Sequence, residues 1–137
     1  MIGDREPELN RFVVLVCGGR DYADAARVDR ILNAALRKHA GALVIVNGGA
    51  TGADYLASRW ADRNGVPCVE MPAPWSKHGA AAGPIRNRWM LDLMRPDRVV
   101  AFPGGRGTAD MVAAAREAVV QVIDLRAPPQ TLREAAP

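Results

Sequence analysis

Short apolar runs that stop at glycine, each followed by a stretch of helical periodicity, constrain this chain more than any other feature. Arg11–Cys17 (RFVVLVC) ends in Gly18-Gly19, and Ala42–Asn47 ends in Gly48-Gly49. Arg98–Phe102 runs into Pro103-Gly104-Gly105. Continuous apolar runs of this length, without polar alternation, are what a strand buried on both faces requires. Val66–Met71 and Val119–Leu125 read as two further strands. Between the runs the period changes. Asp24 is placed to cap a helix whose stripe is Val28, Ile31, Leu32, Ala35 and Leu36. Ala53, Leu56, Ala57, Trp60 and Ala61 form a second stripe, and helices are predicted over Ile85–Met94 and Thr108–Ala118. Five buried strands alternating with four helices specify an α/β fold, a parallel sheet with helices on both faces. Right-handed crossovers wind such a chain into a Rossmann-like, doubly wound domain with strand order 3-2-1-4-5. The segment from Pro72 to Pro84 (PAPWSKHGAAAGP) is predicted to be a long functional loop.

Composition removes several alternatives. A chain of 137 residues, 49% hydrophobic and 24% charged, is long enough for one core and too apolar for intrinsic disorder. The domain is expected over residues 11–125, between a polar tail at 1–10 and a Pro/Ala-rich tail at 126–137. No apolar run nears the roughly 20 residues of a membrane span, and MIGDREPELNR lacks the apolar centre of a secretory signal. A cytoplasmic protein is expected. Cys17 and Cys68 lie in apolar runs on strands one and three, about 10 Å apart by strand spacing, too far for a disulfide. His39 and His78 lack metal-ligand spacing, so neither a metal nor an organic cofactor is expected. The pI of about 9.3 reflects a net charge of only +3, and aromatics make up 5%. The basic residues are scattered, without the stripe of a nucleic-acid binder, which argues against that partner.

In a doubly wound sheet, ligands bind outside the carboxyl ends of the strands, where the winding reverses. That point lies between strands one and four, flanked by Gly18-Gly19-Arg20-Asp21 and by Pro103-Gly104-Gly105-Arg106-Gly107-Thr108. The loop after strand two, with Gly48, Gly49, Thr51, Gly52 and Asp54, lies alongside. Glycine lets backbone approach a ligand closely, and a helix start offers free N–H groups and the positive end of its dipole. The combination predicts a phosphate-bearing ligand, with Thr108 capping its helix or donating to a phosphate oxygen. Arg86 and Asn87 are predicted in the first turn of the third helix, where a cation opposes the dipole. A guanidinium placed there is expected to grip an anion, as an exposed cleft residue that supports little packing. Lys77 and Arg88 add positive charge nearby.

GGRDY, GGATGAD, WSKHGAAAGPIRNRWM and FPGGRGTADM, in this order, resemble the YspA-type (cpYpsA-related) branch of the SLOG superfamily over about residues 12–124. The superfamily includes LOG phosphoribohydrolases of nucleoside 5′-monophosphates, the DNA-processing protein DprA, and sensor domains for nucleotide-derived signals. The LOG signature is PGGxGTxxE with an upstream Arg. Pro103 to Thr108 match its first six positions and Arg86 matches the upstream Arg, but Met111 stands where the Glu belongs. The resemblance implies a nucleotide ligand held by the Gly loop and Arg86. If the chain is an enzyme, it implies hydrolysis of an N-glycosidic bond, with Arg86 and Asp110 as the catalytic pair and Asp54 as the other candidate carboxylate. A non-catalytic nucleotide sensor or carrier is the alternative. LOG-like proteins are homodimers, and the apolar Ile85, Trp89 and Met90 on the third helix fit a homodimer here.

Overall fold

The β-branched runs pair as parallel strands in the computed structural model, which describes residues 10–127. The elements are β1 (Phe12–Cys17), α1 (Ala25–Lys38), β2 (Leu43–Asn47), α2 (Ala53–Arg63), β3 (Cys68–Glu70), α3 (Trp75–His78), α4 (Ala82–Met94), β4 (Arg98–Ala101), α5 (Arg106–Glu117) and β5 (Gln121–Asp124). The sheet order is β3-β2-β1-β4-β5 and every pairing is parallel, as the alternation of runs and stripes requires. The expected tails lie almost wholly outside the described residues.

Strand periodicity divides the core into two layers. Val14 and Val16 face α1 and α2, where they meet Leu32, Trp60 and Phe102. Val13, Leu15 and Cys17 face α4 and α5, against Met90, Leu91 and Met111. Asp24 caps α1 as predicted, accepting from the Arg27 N–H. The Trp60 indole N–H donates to Asn33 Oδ1 at 2.8 Å, so its one polar atom is satisfied where α1 meets α2. Among the described residues, no helix is long and apolar enough to cross a membrane.

Three boundaries differ from the sequence reading. Pro72–Pro84 is not an open loop: it contains α3, a 3₁₀ turn at Gly79–Ala81 and the first turn of α4. Pro84 is tolerated as the third residue of α4 because the N–H it lacks would have had no intrahelical acceptor. Arg86 therefore stands past the first turn, and the conflict with the helix dipole largely disappears. Helix α5 begins at Arg106, so Thr108 is its third residue and does not cap it. Strands β3 and β5 are shorter than their apolar runs because each lies at an edge, where one side of the ladder has no partner.

Val119 follows the end of α5 with φ of 60° and is 90% exposed. The left-handed region suits glycine after a helix and is costly for a β-branched residue. Its side chain makes little compensating contact, so Val119→Gly is expected to stabilise the fold by about 1 kcal/mol, measured as an increased urea midpoint at unchanged slope.

Candidate functional site: a cleft at the strand ends

Where the winding reverses, the carboxyl ends of β1, β2 and β4 open into a cleft of about 650 Å³. The β1 turn is braced from both sides: the Gly19 N–H donates to Pro103 O at 2.8 Å, and Gly19 O accepts from the Ala53 N–H at 3.1 Å. The floor is Val16 and Cys17. Burial pushes the Cys17 thiol up to about 12, so it is a neutral, unreactive wall.

The loop after β2 is closed on itself by one carboxylate. Asp54 Oδ2 accepts from the N–H groups of Gly48 (3.1 Å) and Ala50 (3.2 Å), while Gly49 donates to Asn47 Oδ1 (2.8 Å). Thr51 Oγ1 donates to Arg20 O, tying this loop to the β1 turn. The N–H groups of Gly48, Gly49 and Ala50 thus already have partners. Asp54 is buried at the N-terminus of α2, and burial raises its pKa from 3.8 to about 6, against the pull of the two N–H groups and of Arg86.

A raised carboxyl pKa contributes stability that is complete below pH 3.8 and is lost as pH climbs through about 6. Wild type should therefore lose up to about 3 kcal/mol relative to Asp54→Asn between pH 4 and pH 7. Urea midpoints of both proteins at the two pH values check this, and a constant difference would mean that Asp54 titrates normally.

Free donors come from α5. Ala109 makes the first helical hydrogen bond, to Gly105 O at 3.0 Å. The N–H groups of Arg106, Gly107 and Thr108 find no acceptor among the described residues. Arg86 shares the cleft with them. Its Nη1 donates to Gly48 O (3.0 Å) and Met71 O (3.1 Å), and its Nε donates to Asn87 Oδ1 (3.1 Å). Asn87 Nδ2 in turn donates to Gly107 O at 3.3 Å. One buried amide therefore fixes the guanidinium relative to the first turn of α5. Nη2 is left for a ligand, and a side chain at Gly48 would occupy the place of the guanidinium. Arg86 is half-buried and ties β2 to the end of β3, so it does support the fold, contrary to the sequence expectation.

Of the residues singled out in the sequence, Gly18, Gly19, Arg20, Gly48, Gly49, Thr51, Asp54, Arg86, Asn87, Gly105, Arg106, Gly107 and Thr108 line the cleft. Gly52, Pro103 and Gly104 are not among the lining residues, and Asp21 is exposed in the turn after Arg20. Asp110 is not among the lining residues: its Oδ2 accepts from Asn87 (2.9 Å) and Arg88 (2.8 Å), one side chain removed from the cleft. A Cβ at Gly105 or Gly107 would meet nothing within 4 Å, so packing does not require glycine there. Met111, at the position of the LOG Glu, is fully buried in the α4–α5 layer. Sequence reading missed Trp75, Gly83, Pro72 and Ala73, all in the segment taken for a loop. A large aromatic residue in a stretch otherwise rich in Pro, Ala and Gly was the available signal.

The fold is shared with DNA processing protein A (DprA) from Streptococcus pneumoniae, at TM-score 0.71 and 21% identity over 88% of this chain. This chain spans about half of that protein's length, 52%. The molybdenum cofactor carrier protein of Chlamydomonas reinhardtii superposes with TM-scores of 0.58 and 0.62 in two structures, at 20% and 22% identity, covering 88% of this chain and 79% of the carrier. Identities this low establish the fold alone. Sequence goes further: the Gene 61 protein of Mycobacterium phage D29 is 36% identical over 121 residues, 81% of this chain and 94% of the phage protein. Residues 12–78, from β1 through α3, match the YspA, cpYpsA-related SLOG family. With the sheet order, the Gly-rich strand ends and a phage relative across most of its length, the chain belongs to that family.

Proposed function

We propose that the cleft binds a nucleotide or nucleotide-derived molecule and releases it intact. The observation that carries this reading is the convergence of three unpaired α5 N–H groups and the Arg86 guanidinium on one cavity, with its phosphate-sized donor set at the switch point. Release without cleavage is supported by Met111, since a thioether packed in the core cannot stabilise an oxocarbenium ion. The molybdenum cofactor carrier protein has the same fold, and carrying a ligand is the behaviour proposed here.

A nucleoside monophosphate at 100 times its dissociation constant should stabilise the protein by about 2.7 kcal/mol, seen as a raised melting midpoint. The nucleotide should then be recovered whole by chromatography. Absence of any midpoint shift with purine and pyrimidine monophosphates would sink the reading.

Hydrolysis of the N-glycosidic bond is the second reading, favoured by Asp54, a buried cleft carboxyl with pKa near 6. It predicts release of free base that stops in Asp54→Asn or in Asp110→Asn, according to which carboxylate carries the role. Nucleic acid is the weaker partner. Arg63, Arg88, Arg116 and Arg126 are each paired with an Asp, leaving no continuous basic face among them. We also propose a cytoplasmic homodimer. Ile85, Trp89 and Leu93 recur at helical spacing on the outer side of α4, with Leu93 69% exposed. Met90 is buried in the core and plays no part in that surface. Light scattering at micromolar concentration should give twice the chain mass.

A further inference from the structure

Trp75 is the one large aromatic side chain that the cleft displays. It opens α3, lines the cleft and is 50% exposed, whereas Trp60 is fully buried on the far side of the sheet. Its surroundings leave the indole open. Pro72, Ala73 and Gly83 are the small neighbours on the cleft wall, and a Cβ at Gly83 would already stand 3.6 Å from the ring's Cη2. The Arg20 guanidinium lies over the ring, 5.6 Å from its centroid. Arg20 makes no ion pair and no side-chain hydrogen bond among the described residues, so no polar partner holds the guanidinium in place over the ring.

We infer that Trp75 is the stacking platform for a planar base, so that the cleft holds a nucleotide at two ends: phosphate on the first turn of α5 beside Arg86, base on the indole beside Arg20. The inference rests on the nucleotide reading above. The chemistry is that of every flat heterocycle, which stacks on an indole through its π-face and accepts a guanidinium against its other face. Three arginines, Arg20, Arg86 and Arg106, share the cleft with a single carboxyl, Asp54. An anionic sugar phosphate therefore fits between the two ends. Stacking tolerates any base, so Trp75 supplies affinity for nucleotides over sugar phosphates without choosing strongly among bases. A purine covers more of the indole than a pyrimidine, so adenosine monophosphate should bind more tightly than uridine monophosphate.

The test is calorimetric titration of the full chain with adenosine monophosphate, uridine monophosphate and ribose 5-phosphate, on wild type, Trp75→Phe and Trp75→Ala. Trp75→Ala should weaken adenosine monophosphate roughly 5- to 150-fold, the range of one base stack, while ribose 5-phosphate binds as in wild type. Trp75→Phe, which keeps a smaller ring, should fall between them. Circular dichroism verifies that each variant is folded, as an exposed side chain predicts. Equal affinity of wild type for ribose 5-phosphate and adenosine monophosphate, or unchanged affinity in Trp75→Ala, would overturn the platform and leave the phosphate site standing. If none of the three probes binds wild type, the nucleotide reading falls, and the platform with it.

Discussion

Gly52→Ala should cost the fold about 4 kcal/mol, the largest effect expected from any single methyl group in this chain. Gly52 precedes α2 with φ of 78° and ψ of −129°, a region open in practice only to glycine. Conformational strain is the smaller part. An added Cβ would overlap the carbonyl oxygens of Gly19 and Arg20, and that backbone cannot retreat. Gly19 O accepts from Ala53, Gly19 N–H donates to Pro103 O, and Arg20 O accepts from Thr51, so the β1 turn is pinned at three places. Thermal melts should show a midpoint lowered by roughly 15 °C. Gly41→Ala is the control: it too has positive φ, 81°, but a Cβ there meets nothing within 4 Å, so only the torsional penalty remains. Equal losses in the two variants would show that the turn yields.

Arg86→Ala should weaken nucleotide binding by about 10- to 100-fold, the loss of a charge-assisted hydrogen bond to phosphate. Some stability will go as well, about 1–2 kcal/mol, because Nη1 joins Gly48 O to Met71 O. The two effects separate when titrations are run well below the melting midpoint. Arg86→Lys keeps the charge but loses the fork that reaches Gly48, Met71 and Asn87 together, and should recover only part of the affinity. Arg106→Ala should matter less: Arg106 is exposed at the helix start and is held by no described side chain. Binding in Arg86→Ala as tight as wild type would place the anion elsewhere.

The strands and their order were legible because β-branched runs without alternation leave a chain of this length few other folds, and because right-handed crossovers fix the winding. The edge of the sheet that carries the cleft followed directly. What escaped was any property set by contacts distant in sequence. Arg86 read as an exposed cleft cation, since nothing local reveals that Gly48 and Met71 would present carbonyls to it. Asp54 read as a candidate site carboxylate, but nothing local reveals that closure of the β2 loop depends on it. Asp110 looked closer to the chemistry than Asp54 because of its place in a motif, whereas Arg88 and Asn87 hold it aside. Helix α3 was hidden by its own sequence: two prolines before it and glycines after it disguise a single turn that places Trp75 over the cleft.

Strand β1 sits at the centre of the sheet, but its two neighbours reach it at very different times. Its pairing with β2 closes a short stretch, whereas its pairing with β4 joins residues 84 positions apart, as in the hydrogen bond from the Val13 N–H to Asp97. Loop-closure entropy delays the second pairing, and a nascent chain delays it further, since β4 and α5 emerge from the ribosome after β1, β2 and β3. Half the cleft, with Gly18, Gly48 and Asp54, can therefore exist before the other half has been synthesised. The free N–H groups of α5 and the link from Asn87 to Gly107 arrive only with the second half. A nucleotide would then recognise the finished domain alone, and its affinity would act at the final step of folding, drawing late intermediates toward the native state.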